Sequence, residues 1–188
     1  MAKRTLLDLI NGIERNDRPI IFHENVLAAL YAGNDIVGAG SSGGGFITLV
    51  NGSGPGYSPV DATPFYLVQD VGAILSGAPS TTAPAAVSIT TPAMPVALTI
   101  VSVYLAIVAA SPGSAETGSA AIRVNNGTDT TVFNNTVQWN AATNLFTATG
   151  LSIAVAAGSF FSLKITPPTW ATDPTGTYYA AKIGYTTP

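Results

Sequence analysis

Charge is what this sequence most lacks: Asp, Glu, Lys and Arg together make up 9% of its 188 residues, against roughly 25% in an average soluble domain. Its surface must therefore be built largely from Ser, Thr, Asn, Gly and Ala. Ten acidic and seven basic residues leave a net charge of −3, which opposes the counterion release that drives nucleic-acid affinity. No nucleic-acid partner is expected. Cysteine is absent, which excludes a disulfide framework and a thiolate zinc site and leaves packing and self-association to supply stability.

A long hydrophobic run is also missing. The most apolar stretch, residues 96–110, is broken by Thr99, Ser102 and Tyr104 and falls short of the 18 or so residues of a spanning helix. No membrane segment is expected. The opening residues, Met1 to Asp8 and on to Asn11, place polar side chains where a cleaved leader has its unbroken apolar stretch, so no such leader is expected.

The residues of catalysis are scarce in the same way. The single histidine, His23, stands beside Glu24 and reads as a packing or surface residue, because a triad would have to recruit remote partners to it. No Gly-x-Ser-x-Gly elbow stands between a strand and a helix. Gly38 to Gly43 matches a dinucleotide fingerprint as a string, but a strand candidate follows where that chemistry needs a helix N-terminus. No two acidic residues are closer than Glu14 and Asp17, which gives neither a calcium loop nor a paired-carboxylate site. The expectation is a protein that is not an enzyme, with no catalytic residue, no cofactor and no metal ligand.

What is present divides into three parts, 1–35, 36–83 and 84–188. The first carries four of the seven basic residues and reads as a partly helical arm. Thr5 and Asp8 frame a capping box, and Leu6, Leu9, Ile10 and Ile13 recur at helical spacing before Asn16, Asp17 and Pro19 end the run. A second short helix is expected over 24–31. The middle part is rich in Gly and Pro, with strand candidates at 46–50 and 64–69, and residues 77–84 have the composition of a linker.

From residue 84 onward, strand-like runs at 96–109, 119–124, 130–139, 144–155, 158–166 and 177–186 alternate with turn residues at Ser111 to Gly113, Asn125 to Gly127 and Ala157-Gly158. Regular strands with no helical run predict a mainly β chain whose C-terminal part is a β-sandwich or jelly roll. The run 96–109 is apolar at both parities, which predicts a central strand. The aromatic residues of this part, Trp139 and Trp170 foremost, are candidates for an oligomer contact or a glycan-stacking platform, packing being the commoner use.

The order of features from Met94 to Tyr185 resembles a β-sandwich domain that recurs in structural proteins of tailed bacteriophages, especially head decoration and cement proteins. The likeness is carried by the opening strand Leu98 to Ile107, the small-residue excursion Ser111 to Gly118, Ala121 to Gly127, Thr149 to Gly158, and the closing strand Tyr178 to Tyr185. The resemblance implies a capsid-exterior virion protein that binds the major capsid protein lattice as a homo-oligomer, a trimer being one candidate state. Leu6, Leu9, Ile10 and Ile13 are then the candidate capsid anchors. The alternative is a tail, baseplate or fibre component that binds a host glycan through Trp139 and Trp170.

Overall fold

The computed structural model describes residues 43–50, 57–69, 79–88 and 91–188. Contacts divide the chain into two compact units, Met1–Gly43 and Gly44–Pro188. The expected helical arm, with Leu6, Leu9, Ile10 and Ile13, lies outside the described residues.

Among its described residues the second unit has eight strands: β1 Gly44–Val50, β2 Phe65–Gln69, β3 Leu98–Ser111, β4 Gly118–Val124, β5 Thr128–Val137, β6 Thr143–Val155, β7 Phe161–Thr166 and β8 Thr175–Thr186. They run β5-β4-β7-β2-β1-β8-β3-β6, and every pairing is antiparallel. β1 and β2 share only the pairs Leu49 with Gln69 and Val50 with Val68, and at this short join the ribbon divides into two halves. Sheet I is β1-β8-β3-β6 and sheet II is β2-β7-β4-β5, the strand allocation of a jelly roll. On the far side Phe133 of β5 meets Phe146 of β6 with ring centroids 6.1 Å apart, so the sandwich is nearly closed.

The expected boundary at residue 84 is too late. β1 pairs along its whole length with β8, from Gly44 opposite Thr186 to Val50 opposite Ala180, and β2 pairs with β7. Two strands assigned to a separate Gly/Pro-rich segment therefore belong to the sandwich itself. The stretch expected as a linker is also tied in: Pro79 is buried and the Ser80 carbonyl accepts the Tyr66 amide at 3.0 Å.

The core is apolar and continuous, drawing Leu49, Phe65, Leu67, Leu105, Ile122, Trp139, Leu163, Ile165 and Ile183 from both sheets. β3 shows how the sequence builds it. Leu98 and Ile100 are buried, and so are Val103, Leu105 and Ile107, which changes the inward parity midway. The cause is a register shift between Ile100 and Ser102 against both β6 and β8, a bulge that sends the second half of the strand inward on the other parity. Apolar residues at both parities thus reflect one phase change. β3 is flanked by strands on both edges, but one of its faces is open to solvent.

Candidate functional site

Sheet I presents that open face. The cross-strand register lines up Val50, Ala180, Ala106 and Leu145 in one row, and Thr48, Lys182, Tyr104 and Thr147 in the next. Phe46, Gly184, Ser102 and Thr149 form a third row. Phe46 is 64% exposed and Leu145 75%, while Tyr104, Val108 and Tyr178 are also open. Phe46 and Tyr104 lean together with ring centroids 6.3 Å apart. A Cβ at Gly184 would collide with the Ser102 hydroxyl oxygen and press on the Phe46 ring, so glycine lets that ring lie down across the sheet. Lys182 is the one charged residue in these rows.

Four strands about 4.8 Å apart, with outward residues spread over about 20 Å of β3, give this face roughly 400 Å² of flat area. Within it the exposed apolar side chains Phe46, Tyr104, Val108 and Leu145 are interleaved with threonines and one lysine, and large apolar groups gathered on one face mark contact surfaces on soluble proteins.

Sheet II has the opposite character. Asp129 of β5 accepts hydrogen bonds from Arg123 of β4 and Lys164 of β7, each at 2.8 Å. Burial pushes the Asp129 carboxyl up, but the hydrogen bonds and positive charges of Lys164 and Arg123 outweigh that and hold it below the ordinary aspartate value. The triad knits three strands of one sheet.

One end of the sandwich is stitched shut by its loops. Trp170 donates its amide to Asp61 at 3.1 Å, Ala62 donates to the Pro168 carbonyl at 3.1 Å, and Gly113 donates to the Trp139 carbonyl at 2.9 Å. Glu116 accepts the Ala171 amide at 3.3 Å. A hydrogen bond from Ser114, with others from the backbone, lowers the carboxyl of Glu116. Behind these loops the Trp139 indole donates to the Tyr179 hydroxyl at 2.8 Å, and the two tryptophans pack edge to face at 5.1 Å. Burial pushes the Tyr179 phenol far above its ordinary value.

This arrangement corrects the expectation for Trp139 and Trp170. Trp139 is fully buried and Trp170 is 6% exposed, so neither offers a ring face to an oligomer partner or a sugar. The structure brings the pair together, but as the closing plug of the core. The residues at the open face, Phe46, Tyr104, Val108 and Leu145, were not picked out from the sequence. Their signal was the surplus of apolar residues in β3, at Tyr104 and Val108 as well as at the core positions.

A shallow depression of about 440 Å³ near the β4–β5 turn is lined by Asn125, Thr128, Thr130 and Ser152 with apolar neighbours, hydroxyls and an amide that bring no titratable group. Among the described residues no three His, Cys, Asp or Glu side chains cluster, and no helix is long and apolar enough to cross a membrane.

No family model matches the chain, and no curated protein matches it. Among solved structures it is similar to a chain of the cyanophage Pam1 capsid asymmetric unit, at 14% identity and a TM-score of 0.43, over 77% of this chain and 86% of that one.

Proposed function

We propose that this chain is a non-enzymatic virion structural protein that decorates a phage capsid, binding the lattice of the major capsid protein on its outer surface and acting as an oligomer. The observation that carries the reading is the outer face of sheet I, where Phe46, Tyr104, Val108 and Leu145 stand exposed around a single charge, Lys182. A sheet that spends large apolar side chains on water gains nothing for its own fold and is suited to a partner of similar flatness. The likeness of residues 94–185 to decoration domains supports the same role, as does the sparse charge of the whole chain.

The size of the face sets the mechanism. Roughly 400 Å² falls short of the ~800 Å² per partner of a standard stable interface. A single subunit therefore binds weakly, and tight decoration comes from several copies acting together at high effective concentration. The glycan-binding alternative loses its candidate residues, since Trp139 and Trp170 are buried.

The test is co-sedimentation of the purified chain with phage heads that lack it and, separately, with isolated tails. Binding to heads that falls at least about tenfold in a Phe46→Lys, Val108→Lys double variant supports the reading. Binding to tails alone, or to neither, overturns it. A companion deletion of residues 1–18 asks whether Leu6, Leu9, Ile10 and Ile13 contribute an anchor: retained head binding removes that role from them.

A further inference from the structure

Among the described residues the strand order ends on two strands, β5 and β6, and they are finished differently. β5 ends sheet II and is blunted in the ways that keep edge strands from pairing with other chains. Asp129 sits within it, its register against β4 shifts twice, and Asn135 adopts a positive φ of 49°. β6 ends sheet I with none of these over its first half. Thr143-Asn-Leu-Phe-Thr-Ala-Thr149 contains neither a charge nor a proline and pairs with β3 from Val108 to Ser102 in one unbroken register. Only beyond it does Gly150, at φ 70°, interrupt the strand.

We propose that this stretch of β6 is a seam at which two copies of the chain join, β6 pairing antiparallel with β6 of the second copy about a two-fold axis at Leu145. Three observations select a second copy as the occupant. Antiparallel pairing of a strand with itself is isologous and closes as a dimer. An uncharged strand sets no like charges opposite each other, whereas self-pairing of a charged edge does. The outward residues that flank Leu145 are also alike, Thr143 on one side and Thr147 on the other. The two-fold therefore places Leu145 against Leu145 of the second copy and Thr143 against Thr147 of the second copy. Leu145, at 75% the most exposed large apolar side chain among the described residues, is then covered.

The seam has a consequence for size. Joined edge to edge, two copies of sheet I form one eight-stranded sheet whose outer face has roughly twice the area, about 800 Å², which reaches the standard interface. Main-chain hydrogen bonds carry the join and the side-chain pairs set its register. The seam does not rest on shell binding, because it is tested on the free protein.

The absence of cysteine makes the test direct. In sedimentation velocity the full chain is expected to show a monomer–dimer equilibrium at concentrations up to about 1 mM. Leu145→Cys introduces the sole thiol, directly opposite its counterpart with Cα atoms about 4.5–5.5 Å apart, within the span of a disulfide, and is expected to cross-link to a dimer under mild oxidation. Val108→Cys, exposed on the same face but on β3, is expected to remain monomeric on a non-reducing gel. Leu145→Lys is expected to weaken the dimer at least about tenfold with an unchanged circular-dichroism melting curve. A chain that stays monomeric throughout that range overturns the seam. So does a dimer that persists in Leu145→Lys or fails to cross-link through Leu145→Cys. Loss of head binding with the seam intact would overturn the decoration role alone.

Discussion

The two outer faces of this sandwich solve the same problem in opposite ways. Sheet II covers itself with polar chemistry: Arg123, Asp129 and Lys164 share two ion pairs across β4, β5 and β7. Sheet I has longer strands, β3, β6 and β8 running 14, 13 and 12 residues. It leaves apolar side chains in water with Lys182 alone among them. The same core fills the space between, so the difference is not demanded by folding. A charged face keeps a protein apart from its neighbours, and an apolar flat one invites them. Under the proposed role, the apolar face is the one that meets the partner.

The sharpest break of that comparison uses adjacent residues on β3, Tyr104 outward and Leu105 inward. Leu105→Ala removes a side chain that is 1% exposed and should destabilise the fold by ~2–5 kcal/mol, the transfer loss plus the cavity left behind. Urea unfolding at neutral pH measures it. A loss below about 1 kcal/mol would mean the inner face of sheet I is loosely packed, and the contrast between its two faces would collapse.

That contrast was only partly visible in the sequence. All eight strands were legible, because alternation within each run and turn residues such as Asn125, φ 52°, and Gly158, φ 79°, are local signals. The phase change at the Ile100/Ser102 bulge was not, since it depends on pairing with β6 and β8, and so the outward residues of β3 looked like a second core face. The place of β1 and β2 in the sandwich was hidden for a similar reason: Gly44 meets Thr186 across nearly the whole unit, while the Gly- and Pro-rich stretches around them look like boundaries. Trp139 and Trp170 stood out as candidates by residue type, but their burial follows from loops that meet only once the strands are in order. The unprotected edge at β6 is a property of strand order and has no local signature.

Sheet II is tested next, with a smaller expected effect. Asp129→Asn leaves Arg123 and Lys164 facing each other without the carboxylate between them, and should cost up to about 1 kcal/mol at neutral pH, as is usual for partly exposed ion pairs. Because the folded state holds the Asp129 carboxyl below its ordinary value, the triad's contribution is present above the unfolded value near 4 and is lost as pH falls through the folded one. The gap between wild type and Asp129→Asn in urea midpoint should therefore close in acid. A gap that persists unchanged at about pH 2 would show that the residue acts through packing.

The smallest expected effect on stability belongs to the open face, and it is the most informative. Tyr104→Ser removes one ring of the Phe46–Tyr104 pair, an interaction worth about 0.5–1.5 kcal/mol where rings are buried. Here both rings are open, with Phe46 largely in solvent, so the loss should fall at or below the lower end of that range. Thermal melting alone should hardly register it. If melting does fall by as much as for Leu105→Ala, Tyr104 is part of the fold and the open face is an outer layer of the core. If melting is unchanged while head binding drops, stability and contact are carried by opposite sides of one strand. The bulge at Ile100/Ser102 would then be the feature that separates them.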